Sequence, residues 1–199
     1  MHKLLPPSLA LTVFLAACVD TTGISAESSK IPRGNANGSV VVQEFADLQC
    51  PACKAAHTLL AKPLVEKYGK TVRFEFKHFP LRSIHRYALD AAEAAECSAD
   101  QGKFWEFVDL AYEKQPELKR DILADWATEA GVTNADTFDR CFRSHIKRDT
   151  VLEDYEAGRA LGVNSTPTFF VNGKRVEEST LEAISKAIDE ASTGMMQKL

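Results

Sequence analysis

A run of β-branched residues that leads directly into two cysteines restricts this chain more than any other feature. Residues 39–49, SVVVQEFADLQ, have the composition of a buried strand, and Cys50 follows at once. Pro51 suits the first position of a helix, where its missing N–H costs nothing and its φ is already helical. Ala52, Ala56, Leu59, Leu60 and Leu64 extend an apolar helical stripe, which Pro63 is expected to kink. A strand feeding a helix through Cys-Pro-Ala-Cys puts Cys50 at a helix N-terminus, where unpaired N–H groups and the positive end of the dipole stabilise a thiolate. In C-x-x-C motifs so placed, the thiol pKa falls from ~8.5 to between about 3.5 and 7.5. Cys53, one turn further on, is placed to attack a mixed disulfide formed at Cys50 while its own sulfur points toward the core.

The remaining chain sorts into three stretches. In TVRFEFKHFP, residues 71–80, Val72, Phe74, Phe76 and His78 alternate with charged residues, the period of a strand with one buried face. Residues 38–83 therefore open an α/β domain as strand, helix, strand. Residues 84–161 read as helices throughout; Phe104, Phe107, Val108, Ala111 and Tyr112 keep helical spacing, as do Phe138, Cys141, Phe142, His145 and Ile146. These aromatic stripes are read as core. Residues 162–193 close the domain with TPTFFV, an Asn172-Gly173 hairpin turn, KRVEE and an amphipathic helix, leaving 194–199 as a tail.

Residues 1–17 read as a secretion signal, since Lys3 precedes an apolar run too short to span a bilayer. LAAC at 15–18 resembles the lipobox of bacterial lipoproteins, which makes Cys18 the expected lipidated residue and the cell envelope, outside the cytoplasm, the expected location. Residues 18–37, small, polar and without apolar period, read as a flexible linker to the domain. The 199 residues carry 24 Lys and Arg against 28 Asp and Glu, a formal net charge of −4. Without a basic run there is no electrostatic case for nucleic acid.

CPAC at a helix start, the helical block and GVNSTPTFFVNGK together resemble the DsbA-like disulfide oxidoreductases of the thioredoxin superfamily. FKHFPL at 76–81 and GKFWEF at 102–107 are similar to segments of that family as well. The resemblance covers residues 38–192 and implies a thioredoxin fold with a helical insertion. It further implies a cis peptide bond before Pro167, with Thr166 and Pro167 beside the cysteine pair where an extended substrate pairs, and a proton-accepting role toward Cys53 for Glu44. The implied cofactor is the Cys50–Cys53 disulfide itself. The implied partners are reduced secreted proteins and a quinone-linked membrane protein that restores the disulfide. The strongest oxidases of the family have histidine where this chain has Ala52, so a milder oxidant is expected. Reduction or isomerisation is the alternative direction.

Two other readings compete. Cys50, Cys53 and His57 share a helical face and could ligate copper or zinc, although no fourth ligand lies near in sequence. A peptide-binding chaperone could use the same groove without redox turnover. His78, His85 and His145 are read as packing or surface residues. Cys97 and Cys141 remain, and an oxidising compartment favours a structural bridge between them over two buried thiols.

Overall fold

The computed structural model describes residues 23–196. The expected signal peptide and Cys18 lie outside the described residues, as do the first part of the linker and the last three residues of the tail. Five strands form one sheet in the order β1-β3-β2-β4-β5: β1 (Arg33–Gly34), β2 (Val40–Ala46), β3 (Val72–His78), β4 (Thr168–Val171) and β5 (Lys174–Arg175). β2 and β3 run parallel, from Val40 beside Val72 to Ala46 beside His78, and the other pairs are antiparallel. The parallel pair needs a crossover, supplied by α1 (Pro51–Ala56), a π-helical turn at His57–Ala61 and α2 (Lys62–Tyr68). The helix widens just before Pro63, whose missing N–H cannot close an ordinary turn.

α2 and α8 (Leu181–Met196) are packed with Val40, Val42, Phe74, Phe169 and Val171 through Leu64, Ile184 and Ile188. α7 (Arg148–Ala160) lies against Phe45 and Phe79, and a side chain at Gly158 would come within 2.8 Å of both rings. Between β3 and α7 the chain forms α3 (Ala88–Ala99), α4 (Phe104–Glu113), α5 (Leu123–Glu129) and α6 (Ala135–Ser144). Their apolar faces converge on Phe107, Val108, Leu123, Trp126 and Phe138, in one cluster with Cys53 and Phe76.

The structure departs from the sequence reading at the ends of elements. β2 stops at Ala46, leaving Asp47 to Gln49 as a turn. The apolar period through Phe142 suggested a helix continuing past His145, but His145 adopts a left-handed conformation, with φ of 55°, and separates α6 from α7. KRVEE contributes only two strand residues, after a hairpin turn in which Asn172 and Gly173 both have positive φ, as such turns require.

The largest correction concerns the linker, which from residue 26 onward is a docked strap. Lys30 Nζ lies 2.7 Å from both Glu96 and Asp154, and Ser28 donates to Glu96. Buried Lys147 reaches the carbonyl of Glu27 and the carboxylate of Asp100, each at 2.6 Å. Trp105 donates to the carbonyl of Ile31, and Arg33 stacks on the Trp105 ring while pairing with Asp109 at 2.6 Å. Composition signals apolar burial; this segment is held by ions and hydrogen bonds, which leave no apolar period.

Cys97 of α3 and Cys141 of α6 are joined by a disulfide across a separation of 44 residues. Cross-linking a loop of that size restricts the unfolded chain by about 3 to 4 kcal/mol in the chain-entropy treatment. Replacing both residues with alanine is expected to lower the unfolding free energy by up to that amount in urea titration while leaving the thiols of Cys50 and Cys53 as they are.

Candidate active site

The two thiols of CPAC occupy opposite environments because of the way the chain enters α1. Cys50 is the N-cap residue, with φ −77° and ψ 121°, and Pro51 begins the helix. Cys50 N donates back to Asp47 O at 3.1 Å, closing the turn that follows β2. One turn on, Cys53 is fully buried, its sulfur 3.5 Å from the backbone N–H of Asp47.

The Cys50 thiol is drawn down to about 5. A hydrogen bond from Cys53 is the main cause; burial opposes it, and Thr166 and the N–H groups of Cys53 and Ala52 add to it. Cys53 is pushed well above its ordinary value by burial, and further by its hydrogen bond to Cys50 and the charge there. The pair therefore splits into a thiolate at the helix end and a protonated thiol beneath it.

Thr166 and Pro167 come from the distant end of the chain to meet this pair. Their peptide bond is cis, and Cys50 Sγ lies 3.6 Å from the carbonyl oxygen of Thr166. The Thr166 hydroxyl is buried beside the two sulfurs, whose charged forms it favours. Glu44 sits in the middle of β2, between Phe76 and Phe169 on the neighbouring strands. Its Oε1 is buried without a partner, and burial raises its carboxyl to about 8, with only the charge of Arg33 opposing.

His57 is directed elsewhere. Its Nε2 lies 2.6 Å from Asp109 Oδ1, and its ring packs on Tyr112 with centroids 4.8 Å apart. Burial opposes ionisation of Asp109, but His57 and Arg33 hold its carboxyl at about 2. This commits the imidazole that the metal reading required, and among the described residues no three potential ligands gather as a metal site. His78 and His145 are also engaged, His78 with Glu96 at 3.0 Å and His145 with Glu93 at 2.6 Å.

Several site residues carried no sequence signal. Asp47 is fully buried: Oδ1 accepts from Gln49 N, and Oδ2 accepts from Leu81 N and meets His85 Nδ1 at 2.7 Å. Gln49 accepts from Tyr87 N. The turn before Cys50 is thus fastened to the 81–87 loop. Gln115, in the 3₁₀ turn after α4, reaches the same turn from the other side. Only the immediate proximity of Asp47 to CPAC could have drawn attention to it.

The profile of the thioredoxin family matches residues 27–190, and the chain belongs to that family. Its fold is the DsbA-like form of the thioredoxin fold, with a helical insertion. Among solved structures it is similar to BdbD from Bacillus subtilis, with a TM-score of 0.72 and 22% identity over 84% of this chain and 98% of that one. It is also similar to the disulfide bond oxidoreductase DsbG from Mycobacterium tuberculosis, with a TM-score of 0.62 and 29% identity over 84% and 86% of the two chains. A curated relative, the Na(+)/H(+) antiporter NhaA 3 of Salinispora tropica, is 38% identical over 161 residues, 78% of this chain. The match spans only 24% of the antiporter's length.

Glu44 offers a direct check on this electrostatic arrangement. A carboxyl raised from 4.5 to about 8 keeps its proton in the folded state and loses it in the unfolded one. Its contribution to stability is complete below about 4.5 and disappears as pH rises through 8. Glu44→Gln, which has no proton to lose, is expected to be more stable than the parent at pH 8.5, by on the order of 5 kcal/mol at ~1.4 kcal/mol per pKa unit. Urea unfolding at pH 5 and pH 8.5 measures the difference, and an unchanged gap between the two proteins would contradict it.

Proposed function

We propose that this protein is an extracytoplasmic thiol:disulfide oxidoreductase that donates its Cys50–Cys53 disulfide to reduced secreted proteins. The observation that carries this reading is the opposed state of the two sulfurs: an acidic thiol at the helix end and a buried, protonated thiol one turn below.

In the proposed reaction a substrate thiolate attacks Cys50 Sγ, the Cys50–Cys53 bond breaks, and Cys53 leaves with the electron pair. Cys53 then takes up a proton; Glu44, a buried carboxyl protonated below about 8, is the proposed source, and accepts the proton back when the pair is reoxidised. The second substrate thiolate attacks the substrate sulfur of the mixed disulfide. Cys50 is expelled as a thiolate, a good leaving group because of its low pKa. Two electrons move from substrate to protein, and the substrate leaves with a new disulfide. The backbone of Thr166, beside Cys50, is the proposed pairing edge for the substrate, with Pro167 next to it.

A membrane protein able to pass electrons to quinone would restore the disulfide. Lipid at Cys18 would hold the domain beside it. The described residues contain no helix long and apolar enough to cross a membrane. Kinship with part of an antiporter chain fits a domain that works at a membrane surface.

Cys53→Ser is expected to accumulate mixed disulfides with client proteins, seen as adducts in non-reducing gels that dithiothreitol removes, while Cys50→Ser forms none. Full oxidative activity toward a reduced, unfolded substrate in both variants would defeat the proposal. Retained substrate binding in both, without any exchange in the parent protein, would leave a chaperone instead. The position of the parent's equilibrium with glutathione separates oxidase from reductase.

The anchor has its own test. Cys18→Ser is expected to abolish fatty-acid incorporation and to move the protein from the membrane to the soluble fraction with thiol exchange intact. An unmodified Cys18 in the mass of the parent protein would refute it.

A further inference from the structure

Three carbonyls of the turn that carries Cys50 are held by one short stretch of the helical insertion. Gln115 is buried, and its side-chain amide donates to Leu48 O at 2.9 Å and to Cys50 O at 3.0 Å. Tyr112, at the end of α4, donates its hydroxyl to Asp47 O at 3.4 Å. Lys54, one residue beyond CPAC, returns the connection by donating to Glu113 O at 3.1 Å. Both partners of Gln115 are carbonyl oxygens, so the amide nitrogen rather than its oxygen must face them.

This has two effects on Cys50. The first is geometric: Cys50 O accepts both from Lys54 N, within the helix, and from Gln115. With two donors on one carbonyl, the N-cap conformation has little freedom to rotate, and that conformation sets the direction of the Cys50 side chain. The second is electrostatic. Each donor on a buried carbonyl oxygen draws away part of the negative charge its dipole presents to the sulfur, and Gln115 does this for Leu48 O and adds to Lys54 N at Cys50 O. Inside a protein, such a dipole interaction counts for more than in water.

We propose that Gln115 is a positioning residue for thiol exchange, its amide fixing the Leu48 and Cys50 carbonyls so that the helical insertion governs the reactivity of Cys50. Tyr112 supports the same turn through Asp47. The proposal rests on the thiol-exchange reading above. It differs from a packing role in a definite way: methionine, close to glutamine in length and volume, fills the same space but donates nothing.

The test uses the full chain with Gln115→Met, Gln115→Glu and Tyr112→Phe. Two readouts are taken on each reduced protein: the ultraviolet absorbance of the Cys50 thiolate against pH, and the equilibrium with glutathione. Gln115→Met is expected to raise the Cys50 pKa by about one unit, about tenfold less thiolate at acidic pH. It should shift the glutathione equilibrium about tenfold toward the oxidised protein, ~30 mV for a two-electron couple. Gln115→Glu, whose carboxylate cannot donate and adds negative charge, should move both readouts at least as far in the same direction, and Tyr112→Phe less far. Ile188→Val, in the separate core beneath α8, should lower stability and move neither.

Gln115 variants that lose stability but titrate and equilibrate like the parent would overturn the proposal, as would an Ile188→Val shift as large as theirs. If Gln115→Met fails to fold, Gln115→Glu and Tyr112→Phe decide by the same criteria. A parent protein whose Cys50 has an ordinary thiol pKa and does not exchange with glutathione would instead remove the thiol-exchange reading itself, and this proposal with it.

Discussion

The unequal burial of two sulfur atoms one helical turn apart is the constraint on which the rest of this structure depends. Cys53 is fully enclosed, while Cys50, itself buried, keeps 6% of its surface exposed at the point where the backbone turns from β2 into α1. Separating them requires a strand that ends close to a helix start, a helix held against the sheet, and a cover over the inner cysteine. β2, α1 and the insertion supply these in turn. Cys50, Cys53, Phe76, Phe107 and Tyr112 all belong to a single apolar cluster, so the core of the insertion and the floor of the site are the same packing. Charge at Cys50 is favoured, and charge at Cys53 is disfavoured, by one arrangement of atoms rather than by two.

What could be read from the sequence was what is local. The strand into CPAC, Pro51 at the helix start, the Asn172-Gly173 turn and the aromatic stripe of α4 each depend on neighbours within a few residues, so period and turn chemistry reveal them. Glu44 was legible for a related reason, since a carboxylate on the apolar face of a strand is conspicuous without its surroundings. Gln115 was not, because its partners Leu48 and Cys50 lie 67 and 65 residues away and nothing in EKQPEL requires a buried amide. His57 could be placed on the face of Cys50 and Cys53 by spacing alone. The direction of its ring depended on Asp109, 52 residues further on.

The docked strap shows the same limit from the other side. Residues 26–33 bring two cations, Lys30 and Arg33, to carboxylates on α3, α4 and α7, while Lys147 of the body reaches back to the strap's own backbone. Burying charges is costly unless each is paired and hydrogen-bonded, and the partners of Lys30, Arg33 and Lys147 meet that requirement in the docked strap. It also leads to the site in physical steps. Arg33 pairs with Asp109, Asp109 with His57, and His57 lies in the helix that begins at CPAC. The segment that precedes β2 is thereby connected, through side chains, to the helix that presents Cys50.

Ala52 leaves the tuning of this thiol to other groups. A histidine between the two cysteines would lend Cys50 a charge or a side-chain hydrogen bond, and alanine lends neither. The acidity of Cys50 instead has sources in the backbone and close at hand: the Cys53 thiol, Thr166, and the N–H groups of Cys53 and Ala52. Each acts over hydrogen-bond range and depends on angle, so each is only as good as the conformation of the turn. A charged neighbour tolerates small displacements because Coulomb attraction falls off slowly with distance; a set of short hydrogen bonds does not. A thiol stabilised in this second way needs its backbone held firmly. The dense fastening of residues 47–50, by Gln115 and Tyr112 on one side and by His85 and the 81–87 loop on the other, meets that need.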